Sequence, residues 1–142
     1  MATLTRQQAN TLLLEGVRKD LAEAAAIHTL LEQQFEAAVR HRSAELSALA
    51  AKLEPLLEAM EARRQQRLQL VRALLGPDAS MAQYSASLAA SARATFDAAW
   101  AELETIVVAC KEATARNGRL LAEQYSVMQR VLHGEDEIYA PR

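Results

Sequence analysis

Apolar residues recur at alternating steps of three and four along almost the whole chain, and no other feature constrains the fold as tightly. That spacing keeps one stripe of side chains on one face of an α-helix, whereas a half-buried strand would alternate by two. One seam runs Leu14, Val17, Leu21, Ala24, His28, Leu31, Phe35 and Ala38. A second runs Leu46, Leu49, Leu53, Leu56, Met60, Arg63, Arg67, Leu70 and Leu74. A third starts at Phe96 and passes through Trp100, Leu103, Val107, Cys110, Thr114, Asn117, Leu121, Gln124 and Met128 to Val131. Composition agrees: 30 of the 142 residues are Ala and 21 are Leu, against three Pro and four Gly. With few breakers and few β-branched residues, the chain lacks the material for a sheet.

The breaks between seams carry their own chemistry. Thr5-x-x-Gln8 and Ser80-x-x-Gln83 predict capping boxes, in which hydroxyl and amide satisfy each other's backbone N–H groups. Arg40-His41-Arg42-Ser43 predicts a turn, with Ser43 capping the next helix and Glu45 on its first turn. Gly76-Pro77-Asp78 is the strongest stop and marks the main turn. Pro55 either kinks the second helix or opens a new one as its first residue. Gly134, followed by Glu135-Asp136-Glu137, ends the last helix. The expected architecture is an all-α, antiparallel up-and-down bundle with coiled-coil-like packing. A single domain over residues 1–142 would hold helices at about 5–41, 44–75, 80–90 and 92–133, with a tail at 134–142.

Charge and motif content remove most function classes. The 16 Lys+Arg are interspersed among 18 Asp+Glu, without the basic surplus a nucleic-acid binder gathers on one face. There is no apolar run of spanning length and no secretory pattern, so neither nucleic acid nor stable membrane insertion is expected. The single Cys110 forms no internal disulfide, which fits a cytoplasmic setting. A di-iron bundle needs Glu-x-x-His on two helices, and none of His28, His41 and His133 has that Glu. Phosphate-loop, nucleophile-elbow and EF-hand patterns are missing too. Hence no catalytic residue, metal or cofactor is expected; Cys110 reads as a small buried thiol and His28 as a core or boundary side chain.

Three features stand out. Asn117-Gly118 lies in phase with the third seam, so the helix is expected to run through it. The glycine either admits a close backbone or is a tolerated imperfection, and the Asn either fixes register or bonds a partner's main chain. Beyond it, Leu120, Leu121, Val127, Met128, Val131 and Leu132 spread over an arc of roughly 140°. The partner seams carry Arg63 and Arg67, which suggests that part of this stripe is left uncovered as a groove for an amphipathic segment. Last, Ile138-Tyr139-Ala140-Pro141-Arg142 puts an aromatic residue past the last helix.

With these residues in view, the chain resembles the FlgN family of flagellar export chaperones. Ala115-Arg116-Asn117-Gly118-Arg119-Leu120-Leu121 is similar to the family's N-x-x-N-G-x-L-[LI] signature, with Thr114 in place of the first Asn. Leu30-Leu31-Glu32-Gln33-Gln34-Phe35-Glu36-Ala37-Ala38-Val39-Arg40, then Lys52, Leu56-Leu57 and Arg63-Arg64, resembles its first helix pair. Tyr139 stands where the family has a tyrosine, although Ala140-Pro141-Arg142 follows here in place of a glycine-containing tail. The resemblance implies a non-enzymatic cytoplasmic chaperone that holds hook–filament junction (hook-associated) proteins and delivers them to the export gate protein FlhA. By the same resemblance the client lies on Asn117, Gly118, Leu120, Leu121, Gln124, Val127, Met128, Val131 and Leu132, and Tyr139 meets the gate. Two other classes suit Ala/Leu-rich helices: a phasin-type coat on a granule or lipid surface, and a structural coiled-coil adaptor. The seams before residue 96 are too narrow for the first, and the second leaves Asn117-Gly118 and Tyr139 without a role.

Overall fold

A computed structural model of the chain describes the backbone of residues 4–139 and the side chains of residues 4–134. Helix α1 (Arg6–Val39) opens on the expected capping box: the Gln8 N–H donates to the Thr5 hydroxyl at 3.1 Å, and the Thr5 N–H donates to the Gln8 side-chain oxygen at 2.9 Å. It closes in a Schellman turn. His41 takes a left-handed φ of 55°, its N–H donates to the Ala38 carbonyl at 3.2 Å, and the Arg42 N–H donates to the Ala37 carbonyl at 2.9 Å. This turn corrects the expected cap at the start of α2 (Ser43–Leu75): Arg42 holds the N-cap position without a side-chain bond, and Ser43 is the first helical residue. Glu45 does lie on the first turn, 3.5 Å from Arg42.

Pro55 sits inside an unbroken α2, so it starts no helix of its own. The stop at Gly76-Pro77-Asp78 is real. Gly76 has φ 109°, which a Cβ would oppose, and its N–H donates to the Arg72 carbonyl at 2.8 Å. The Ser80–Gln83 box then starts α3 (Met81–Ala86), shorter than expected because the Ser87 N–H and hydroxyl both turn back to the Tyr84 carbonyl. Helix α4 (Ala90–Tyr139) is 50 residues long. It passes through Gly134, where the sequence was expected to stop; a glycine costs a helix only about 1 kcal/mol relative to alanine.

The chain thus runs up, down and up again: α1 and α2 are antiparallel, and α4 returns parallel to α1. Helix α1 packs against both α2 and α4, with α3 between the other two at one end. The core at that end joins Leu13, Val17, Val71, Leu88 and Leu103 to a ring stack. Tyr84 meets Phe96 edge-on at 5.1 Å, Phe96 stacks on Trp100 at 6.0 Å, and the buried Tyr84 hydroxyl donates to Asn10 at 2.8 Å. A smaller cluster of Ile27, Leu31, Leu53 and Ala113 continues the core toward the α1–α2 turn.

The buried line on α1 is Leu13, Val17, Asp20, Ala24, Ile27 and Leu31, which keeps the 4,3 rhythm but shifts half of the expected seam by one residue. Leu14, Leu21 and His28 move to its half-buried flank, His28 standing 3.8 Å from Glu32. The cause is Asp20. Its fully buried carboxylate accepts hydrogen bonds from Arg63 and from Arg67, the latter at 2.9 Å, so a charged residue occupies a seam position. Burial opposes the Arg63 charge, but its hydrogen bonds to Asp20 and Glu23 outweigh that and hold its pKa above the ordinary value. The Arg67 guanidinium also lies 5.3 Å from the Trp100 ring centre, which brings α4 into the same cluster.

Candidate functional site

Helix α4 is fixed to α1 at intervals of seven residues by side chains that address main-chain carbonyls. The Cys110 thiol reaches the Ala24 oxygen at 3.5 Å, the Asn117 amide donates to the Leu31 oxygen at 2.8 Å, and the Gln124 amide donates to the Ala38 oxygen at 2.8 Å. Equal steps on both helices are what parallel coiled-coil packing requires. Asn117 is buried and fully used: its amide also donates to the Gln34 side-chain oxygen at 2.8 Å, and its own oxygen accepts from Arg116. Arg116 in turn grips Glu32 with two bonds, at 2.9 and 3.3 Å, and lies 4.1 Å over the Phe35 ring. Hydrogen bonding from Arg116 holds the Glu32 carboxyl below the usual carboxylate range. Burial pushes the Cys110 thiol up, which suits a packing role.

Gln124 is bonded one residue short of the end of α1, and α2 begins at the same end of the molecule. From residue 125 onward α4 therefore extends past its partners, over fifteen residues or about 22 Å. Along this overhang Tyr125, Val127, Met128, Val131 and Leu132 are each 50–60% exposed, and Leu121 is exposed at its root. The stripe is open, but not because Arg63 and Arg67 fail to cover it. Those two lie at the level of Asp20, near the middle of α1 and well away from the stripe, and are neutralised there.

The nine residues expected to contact a client thus fall into two groups. Asn117 and Gln124 face α1 and are engaged with it, and Leu120 is half-buried. Gly118, Leu121, Val127, Met128, Val131 and Leu132 face outward, and a Cβ built on Gly118 would meet nothing within 4 Å. The backbone of Tyr139 is helical, while its side chain lies outside the described residues. Sequence reasoning missed Tyr125, the most exposed of the large apolar residues; its signal was a step of seven from Gly118 and another to Leu132.

A second opening lies between α2 and α4. Among the described residues their Cα atoms nowhere approach within 8 Å, although each helix packs on α1. Packed helices have axes 8–10 Å apart, so the two walls are spread. Between them is an open trough of about 930 Å³, floored by α1 at Ala24, Ile27 and Leu31 and walled by Leu57 of α2 and Val107 of α4. No periodicity in the sequence announces it, because it follows from which helix pairs pack closely.

No helix among the described residues is long and apolar enough to cross a membrane, and no group of three or more His, Cys, Asp or Glu could hold a metal ion there. Neither a curated protein nor a solved structure matches the chain at a significant level. The family model described as FlgN protein matches residues 9–133, from the second turn of α1 into the overhang of α4, and Tyr139 falls beyond it. Since the match covers most of the chain and takes in all four helices and the Asn117-Gly118 pair, the protein belongs to the FlgN family, a family of flagellar export chaperones.

Proposed function

We propose that this chaperone works in the cytoplasm, holds hook-associated proteins through a client helix laid on the exposed stripe of α4, and brings them to the export gate protein FlhA. The observation that carries the proposal is the overhang: about 22 Å of helix, by the rise per residue of about 1.5 Å, whose apolar side chains from Tyr125 to Leu132 are exposed among the described residues. A client helix that buries its own apolar face only after assembly has matching chemistry, and Met128 on the stripe adapts to irregular partners. Asn117 and Gln124 then act by holding α4 in register, while Gly118, Leu121, Val127, Met128, Val131 and Leu132 touch the client. Tyr139 is the gate contact, since a single ring supplies large interface area at small rotamer cost.

Val127→Glu puts a charge on the stripe and should lower client affinity at least tenfold, with the circular dichroism of the wild type. Unchanged affinity would remove the stripe from the interface. In the same series, Tyr139→Ala should leave client affinity alone and weaken binding of the client-loaded chaperone to the FlhA cytoplasmic domain by about 2 kcal/mol. Equal gate affinity of the two proteins would rule out that role.

A further inference from the structure

We infer that the trough between α2 and α4 is a second seat for the client, in which the client helix continues off the stripe and completes a four-helix bundle. The inference rests on the client-binding proposal above and extends it to a surface that involves α2. Its floor spans Asp20 to Gln34 on α1, about 21 Å at the helical rise per residue. That is a channel for a rod, although its volume of about 930 Å³ alone would also suit a small molecule.

Continuity argues for the client. Val107 and Thr114, on the α4 wall of the trough, lie in the same seven-residue row as Leu121 and Met128 on the stripe. Lys111 on that wall falls in a row with Gly118 and Tyr125. A helix following either row therefore runs from one surface onto the other, and Gly118 stands at the junction with open space in front of it.

Charge fixes what the helix must carry. On the α2 wall Glu61 is paired with Arg64, whose two hydrogen bonds, with one from Gln65, bring the Glu61 carboxyl down to about 2. On the α4 wall Glu104 and Lys111 are exposed, and among the described residues neither has an ion-pair partner. They are seven residues apart, about two turns. The complementary occupant is an amphipathic helix with an acidic side chain toward the α1–α2 turn and a basic one two turns further toward α3. Apolar residues at three- and four-residue steps between them meet Ile27, Leu31 and Val107.

Cys110 lines the trough and is the chain's only cysteine, so the wild-type protein carries its own reporter. The rate of Cys110 alkylation by iodoacetamide is measured with and without a saturating full-length hook-associated protein, and complex formation is checked in the same samples by gel filtration. The client should slow alkylation at least tenfold. Leu57→Arg, at a wall position that is 52% exposed, should restore the free rate and lower affinity about tenfold without loss of helicity. Lys111→Glu should weaken binding several-fold. A bound client that leaves the Cys110 rate unchanged overturns the inference and leaves the stripe intact as the client site. Protection that appears without client as chaperone concentration rises assigns the trough to a second copy and also overturns it. If the wild type binds no client at all, the client-binding proposal itself fails, and this inference falls with it.

Discussion

A carboxamide sealed between two helices has donors and an acceptor to satisfy, and Asn117 satisfies both kinds: its amide bonds Leu31 and Gln34, and its oxygen accepts from Arg116. Asn117→Ala removes both donated bonds and leaves the buried Leu31 oxygen and the half-buried Gln34 oxygen short of a donor, while Arg116 keeps its two bonds to Glu32. The expected cost is about 1–3 kcal/mol, read as a lower urea midpoint. A midpoint equal to that of the wild type would show that the register is held elsewhere. From sequence, the seam position of Asn117 was legible, and so was its possible bond to a partner helix. Which carbonyl it meets was not, because a main-chain oxygen leaves no trace in the residue that carries it.

At the scale of elements, the capping boxes at Thr5 and Ser80, the turn at Gly76 and the continuity of α4 through Gly118 were all legible, since each depends on residues within one or two turns. The seam of α1 was half legible. Asp20 is charged and was passed over, yet two arginines of α2 make it a buried position. The overhang could not be read at all, because periodicity gives the face of a helix but not where its neighbours end. Gly118 connects this scale to function. An added methyl there meets nothing within 4 Å among the described residues, so Gly118→Ala should raise stability by roughly 0.5–1 kcal/mol through helix propensity and unfolded-state entropy. If a client backbone passes over this point, the same methyl should lower client affinity severalfold. Thermal melts and a client titration on one preparation separate the two effects, and a stabilised variant with full affinity would mean that no backbone comes close.

Across the whole molecule, the cluster around Asp20 ties the three long helices together: the carboxylate on α1, two guanidiniums on α2, and the Trp100 ring of α4 against Arg67. Asp20→Ala leaves two nearly buried cations short of a counter-charge, a change that costs about 3–5 kcal/mol for a broken buried pair. Denaturant unfolding should record that loss, and the emission of the single tryptophan should shift as Arg67 moves away from it. Unchanged stability and emission would show that Glu23 alone balances the pair. The attachment of α4 to α1 has a mechanical consequence. A helix clamped over most of its length and free over its last fifteen residues is a cantilever, so a sideways pull at its tip is greatest as a bending moment at the outermost clamp. The bonds at Gln124, Asn117 and Cys110 then give way one after another from the tip inward, like a strip being peeled. A pull along the axis loads all three in shear together. The tip of α4 therefore meets low resistance when pulled sideways and high resistance when pulled along its axis.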